Sequence, residues 1–163
     1  MKSLILLLTA TSTALIAGLF YAWSCSVTPG LARLSHAEYL AAMQSINRAI
    51  QNPVFFASFL GTALCLPLST YLSYDASLSL RFWLLLAATL VYLIGGLGVT
   101  VFGNVPLNEA LDTFSLSTAS PQELVAQRLR FEIPWNRLHT ARTIACLVSL
   151  VLVLVACLYT TDR

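Results

Sequence analysis

Residues 135–159 read WNRLHTARTIACLVSLVLVLVACLY. From Thr143 to Tyr159 the run carries no charge. A hydrocarbon core of roughly 30 Å is crossed by about 20 helical residues, with a lower limit near 17, so this run is a membrane span. The eight residues before it hold an indole, an amide, two guanidinium groups and one of only two histidines in the chain. A helix that enters lipid behind such a polar cluster needs either an interfacial anchor or an interior site to receive it.

Three further runs have the same character: Leu4–Trp23, Pro53–Tyr71 and Phe82–Phe102. Apolar residues make up 58% of the 163, charged residues only 10%, and the mean hydropathy is +0.79, which is too hydrophobic for a dissolved globule. The expected fold is all-α: an integral-membrane four-helix bundle forming a single transmembrane domain over residues 1–163, with a lipid bilayer as its solvent. Lys2 ahead of an apolar stretch, and the Ala22-Trp23-Ser24-Cys25 tetrapeptide, leave a secretory signal as an alternative for the first run. That run is longer than a signal core, and Trp23 suits a cleavage site poorly, so an uncleaved helix is expected.

Four crossings place both ends of the chain on one side. Arg33, Arg48, Arg128, Arg130, Arg137 and Arg142 lie in or beside the long connections, whereas Lys2, Arg81 and Arg163 lie on the opposite face. The positive-inside count favours cytoplasmic long loops, discounted for arginines that serve a site. Cys25, Cys65, Cys146 and Cys157 form no C-x-x-C pair, which argues against a disulfide-forming redox function, a metal cluster or a disulfide framework. A net charge of +2 gives no reason to expect a nucleic-acid partner.

The connections alternate long, short, long: Ser24–Asn52, Leu72–Arg81 and Gly103–Arg142. Both long ones therefore share a membrane face and are expected to cap one end of the bundle with short amphipathic helices. Ser35-His36-Ala37-Glu38 is a capping-box pattern, followed by Leu40, Met43, Ile46 or Asn47, and Ile50 at helical spacing up to Asn52-Pro53. Ser120-Pro121-Gln122-Glu123 repeats the device. Its helix is expected to end near Arg130, because the residue ahead of Pro134 is pushed out of helical geometry. Phe114–Ala119 reads as a surface loop, and Pro67 is expected to bend the second span. Ser58, Thr62, Cys65 and Ser69, with Gly95 and Gly98, supply the small residues through which membrane helices pack.

Positions 135, 139, 142 and 146 fall on one helical stripe, so Trp135, His139, Arg142 and Cys146 look the same way from the mouth into the bundle. On the same side lie Asn104 and Asn108 in GNVPLNEALD, Gln44, Asn47, Arg48, Gln51 and Asn52 in MQSINRAIQNP, and Tyr21, Trp23 and Pro29 in FYAWSCSVTPGL. Turn chemistry, a solvated helix face and the interfacial aromatic belt account for each cluster singly. Their gathering at one pole is what marks that pole as a candidate site. Arg130 and Glu132 are possible additions or a surface ion pair.

These four segments, FYAWSCSVTPGL, MQSINRAIQNPVFF, GNVPLNEALD and WNRLHTARTI, in this order, resemble the anthrone-oxygenase-like family of four-span membrane proteins, also known as a domain of unknown function. GNVPLN and W-x-x-x-H-x-x-R carry most of the resemblance, which extends over nearly the whole chain. Fungal members are associated with oxidation of anthrones to anthraquinones. The resemblance thus implies an integral-membrane oxidoreductase in a bacterial inner membrane, acting with oxygen on a hydrophobic aromatic or phenolic small molecule.

Such a reaction needs a base and a stabilised enolate. The expected catalytic set is His139 as base, with Arg142, Asn104 and Asn108 holding the anion. Trp135, Asn47, Asn52, Tyr21 and Trp23 are the expected substrate-binding residues. No cofactor and no metal are expected, although His36 and His139 with one carboxylate would make a two-histidine iron site arithmetically possible. The alternative is a non-enzymatic membrane protein, either a small-molecule binder or an accessory subunit. A channel is disfavoured, because no span carries a polar stripe along its length. Oligomeric state is open.

Overall fold

The computed structural model describes residues 2–74 and 79–159. Residues 75–78 of the short connection, and Arg163 of the orientation count, lie outside the described residues. The described chain is helical, without a strand, and four of its helical stretches are long and apolar enough to cross a membrane. It is thus an all-α, multi-pass membrane bundle.

The first stretch joins α1 (Lys2–Ala22), a π-helical turn π1 (Trp23–Val27) and α2 (Thr28–Leu31). Helix α3 (His36–Ala49) lies across the mouth and α4 (Pro53–Leu72) returns through the membrane. The third stretch is α5 (Leu80–Val91), π2 (Tyr92–Gly98), π3 (Thr100–Asn104) and α6 (Val105–Asp112); the last is the single helix α7 (Pro121–Leu158).

Two apolar cores stack along the bundle. The membrane core gathers Ile16, Phe20, Phe59, Leu66, Leu85, Tyr92, Cys146 and Val153. The cap core gathers Leu31, Tyr39, Leu40, Met43, Leu111, Phe131 and Trp135. Since lipid is as apolar as leucine, close approach and hydrogen bonds between helices hold the first core. Thr9 and Ser69 hydroxyls meet at 2.7 Å, Thr70 and Thr89 at 2.9 Å, and Ser149 donates to the Ala88 carbonyl at 3.1 Å. Each such bond contributes on the order of 0.6 kcal/mol.

The cap is closed by the two capping boxes, both formed, at Ser35–Glu38 and Ser120–Glu123. Arg128 then ties α7 to the end of α2. Its guanidinium donates to the carbonyls of Leu34 and Ala32 at 2.8 and 3.0 Å, stacks 4.3 Å from the Tyr39 ring and pairs with Glu132 at 2.7 Å. Glu132 therefore pairs with Arg128, one turn back, and not with Arg130.

Three helix ends expected from the sequence do not occur, and each helix instead continues through a proline. The apolar runs end near residues 23 and 102, but the helices that carry them run on through Pro29 to Leu31 and through Pro106 to Asp112. In both places a π-helical turn immediately precedes the proline, with the N–H of Thr28 reaching the Trp23 carbonyl and that of Val105 reaching Thr100, five residues back. The wider turn shifts the hydrogen-bond register, so that each proline falls in the first turn of a new α segment, where a missing N–H is tolerated.

The third case is Pro134, which lies inside an unbroken α7, so the helix that carries the fourth span begins at Pro121, well before Thr143. An interior proline costs about 3 kcal/mol. The cap core offsets this cost by fixing both sides, with Phe131 and Trp135 buried and stacked at 6.1 Å and Arg128 anchored below them. Pro67 likewise lies inside a continuous α4.

Gly95 marks the tightest helix contact: a Cβ built there would lie 2.5 Å from Cβ of Ala145 on α7. Neither methyl could rotate away. Gly95→Ala is expected to lower stability by about 1–3 kcal/mol through overpacking, read as an earlier thermal loss of the monodisperse peak in detergent. Gly18→Ala, with nothing within 4 Å of the added carbon, should leave that temperature unchanged or raise it.

Candidate functional site

The four segments rich in polar residues converge on a cavity of about 490 Å³ at the mouth of the bundle. Sites for drug-sized ligands span roughly 300–1,000 Å³. Phe20, Phe55, Phe59, Trp23 and Trp135 supply aromatic walls, Asn47, Asn108 and Arg142 the inner polar groups, and Arg48, Gln51, Glu109, Asp112 and Thr113 the outer ones.

Arg142 is the central charge. The residue is only 8% exposed, and its guanidinium carbon lies 4.4 Å from the Phe20 ring centre and 5.1 Å from that of Trp135. Its one hydrogen bond among the described residues runs from Nε to His139 Nδ1 at 3.2 Å, and no carboxylate pairs with it there. The arginine Nε–H can only donate, so Nδ1 must present its lone pair. A neutral ring then carries its proton on Nε2, which faces Ser24 Oγ at 2.9 Å; Ser24 in turn donates to the Phe20 carbonyl at 3.1 Å. Both ring nitrogens are thus engaged. His139 is 2% exposed, stacks on Trp135 at 5.2 Å and stands behind Arg142, outside the cavity lining.

Trp135 is held at three points. Its indole N–H donates to Asn108 Oδ1 at 2.8 Å, its backbone carbonyl accepts from Asn104 Nδ2 at 3.3 Å, and its ring lies between Phe131 and His139. Asn104, fully buried, braces the backbone from outside the lining, and its Oδ1 has no partner among the described residues. Asn108 lines the cavity itself. Two lining residues keep buried donors without a partner among the described residues: Asn47 Nδ2 and Trp23 Nε1. Most buried polar atoms in folded proteins are satisfied, so such a group invites an acceptor.

Two expected binding residues lie elsewhere. Asn52 caps α4, accepting from the amides of Val54 and Phe55 and donating to the Ala49 carbonyl, and Tyr21 is 57% exposed on the outer face. Neither borders the cavity. Conversely, Phe20, Ser24, Phe55 and Phe59 escaped notice as site residues. Phe20 and Ser24 stand four apart, one turn of α1 into π1, and that spacing was the signal for a shared face. Among the described residues no group of three or more His, Cys, Asp or Glu side chains could hold a metal ion; His36 is exposed at the start of α3.

Fold and site together define a multi-pass membrane protein with a ligand-sized, aromatic-walled cavity around a buried cation. Residues 50–152 match the family described as anthrone oxygenase, and the chain belongs to that family. No curated protein and no solved structure matches it.

The bond between Trp135 and Asn108 is a testable joint between α7 and α6. Trp135→Phe and Asn108→Ala should each cost about 1 kcal/mol of stability. Because they remove the same bond, the double variant should cost clearly less than the sum. Strict additivity of the three melting shifts in detergent would show that the two side chains do not interact.

Proposed function

We propose that the chain is an integral-membrane oxidoreductase of a bacterial inner membrane that oxidises a hydrophobic, phenolic anthrone-type substrate with molecular oxygen. The carrying observation is Arg142, a buried guanidinium bordering an aromatic cavity with no carboxylate paired to it among the described residues. A permanent cation in such a place is costly unless a ligand supplies negative charge. An anthrone supplies it on demand, since loss of a proton from its methylene group places charge on the conjugated oxygen.

In this reading Phe20, Phe59 and Trp135 hold the flat ring system, and the enolate oxygen sits against the Arg142 guanidinium. The buried donors of Asn47 and Trp23 suit the further oxygen atoms of a polyphenol. Glu109 borders the cavity, is exposed and has no ion pair among the described residues; it receives the methylene proton, directly or through water. The carbanion then passes one electron to oxygen, the two radicals combine into a peroxide anion, and the proton held by Glu109 returns to it to give the hydroperoxide. Loss of water leaves a carbonyl where the methylene stood. One oxygen molecule is consumed and one water released per ring oxidised.

His139 acts through Arg142. With Nδ1 accepting from Arg142 and Nε2 facing Ser24, it has no lone pair to offer the substrate. It is a positioning residue that keeps the guanidinium turned to the cavity. The assignment differs from that of a base in one measurable respect. His139→Asn retains an acceptor for Arg142 but cannot titrate near neutrality, whereas His139→Leu removes both functions. Oxygen consumption with an anthrone substrate should survive largely in the Asn variant and fall about 100-fold in the Leu variant.

Arg142→Met should lower turnover by about 100- to 1,000-fold, the usual loss when an oxyanion donor is removed. Equal losses in both His139 variants would return the base role to His139. Wild-type protein that binds the anthrone without consuming oxygen would make the chain a small-molecule binder.

A further inference from the structure

The cavity is not sealed, and the residues at its opening differ from those of its back wall. Phe20, Phe59 and Trp135 border it and are 4%, 4% and 3% exposed, as wall residues should be. Phe56 and Leu60 on α4, and Val101 and Val105 on π3 and α6, border it as well, yet they are 41%, 46%, 44% and 37% exposed. A side chain that faces both the cavity and the outside stands at the edge of an opening. These four form two pairs, each spaced by four residues, one on either side of a slot.

The packing of α4 accounts for the slot. Helix α4 lies closely against α1, α5 and π2, whereas among the described residues it has no comparable contact with π3 or α6. The two walls therefore separate on the approach to the cap. At the outer end α3, which precedes α4 in the chain, is joined to α6 by the ion pair of Arg48 Nε and Asp112 Oδ1 at 2.6 Å. Gln44 adds hydrogen bonds to the carbonyls of Leu111 and Phe114 at 2.8 and 2.9 Å. The aqueous end is thus strapped, and the opening that remains is rimmed by hydrocarbon.

We propose that this slot is a lipid-side portal through which the cavity exchanges ligands with the acyl-chain region of the bilayer. The rim admits flat, uncharged, apolar molecules and opposes permanently charged ones, which are expensive to bring into hydrocarbon. Arg142 inside then favours those that can acquire negative charge after arrival. Combined with the proposed reaction, on which this selection rests, the filter passes weakly acidic phenols and anthrones and rejects sulfonated or carboxylated analogues.

The portal can be tested without any substrate, so that its fate is separate from that of the oxidation. The chain has three tryptophans, and the W23F/W83F variant leaves Trp135, buried beside the cavity, as the only emitter. This variant is reconstituted in phosphatidylcholine vesicles brominated near the headgroup end of the acyl chains, and in unbrominated ones. Bromine quenches indole on contact, so a portal predicts Trp135 emission reduced about twofold or more in the brominated lipid.

Narrowing the slot by Leu60→Phe with Val101→Phe should restore most of the emission. Leu60→Phe alone, a milder change for folding, should restore part of it. Arg48→Ala, which loosens only the strap, should leave the quenching as it was. Equal emission in both lipids would overturn the portal, and so would quenching that ignores the Phe substitutions. A protein quenched as predicted but unable to oxidise anthrones would keep the portal and lose the reaction.

Discussion

A guanidinium inside a membrane bundle constrains everything around it. Arg142 can be neither deprotonated nor left bare in hydrocarbon, and no acidic side chain pairs with it among the described residues. The structure compensates in part: two aromatic faces, of Phe20 and Trp135, lie within cation–π range, and one ring nitrogen accepts its Nε–H. The other ring nitrogen, Nε2, is held by Ser24, so π1 sets the orientation of a group on α7. What remains is a buried positive charge at the cavity wall with no acidic partner among the described residues.

Holding this arrangement requires helices that project beyond the apolar spans. A bundle ending at the limits of its hydrophobic runs would leave Ser24, Asn108 and Trp135 in loops, whose positions are loosely defined. Instead π-helical turns before Pro29 and Pro106, and cap packing on both sides of Pro134, carry the helices through three prolines. The site is consequently built on helical backbone, where side-chain placement is rigid. Arg128 and the two capping boxes close the outer layer with bonds made chiefly to backbone groups that would otherwise be orphaned.

The region shared with the anthrone oxygenase family, residues 50–152, contains Asn108, Trp135, His139 and Arg142, together with Phe55 and Phe59. Phe20, Trp23, Ser24, Asn47 and Arg48 lie outside it. The pocket is therefore assembled from two parts. The shared part supplies the cation and the ring that braces it, while the preceding helices supply a facing wall, two buried donors without a partner among the described residues, and the Arg48 and Gln44 half of the strap over the mouth. The buried cation thus lies in the first part, and the walls around it come from both.

The helical class, the four spans, the capping boxes and the stripe of Trp135, His139, Arg142 and Cys146 were legible in the sequence. Each rests on local properties: run length, hydropathy, a three-residue capping spacing and the 3.6-residue period. The collection of polar residues at one pole was equally legible, since alternation of long and short connections fixes which loops share a face. The division of labour among those residues was not. Asn52 and Tyr21 have the composition of site residues but serve as a helix cap and an outward-facing aromatic, whereas Phe20 and Phe59 look like any membrane core residue. Whether Pro134 breaks a helix, and whether His139 faces the cavity or stands behind Arg142, are decided by neighbours distant in sequence. Those outcomes depend on packing free energy summed over several helices, and such a sum exists only once the helices have met.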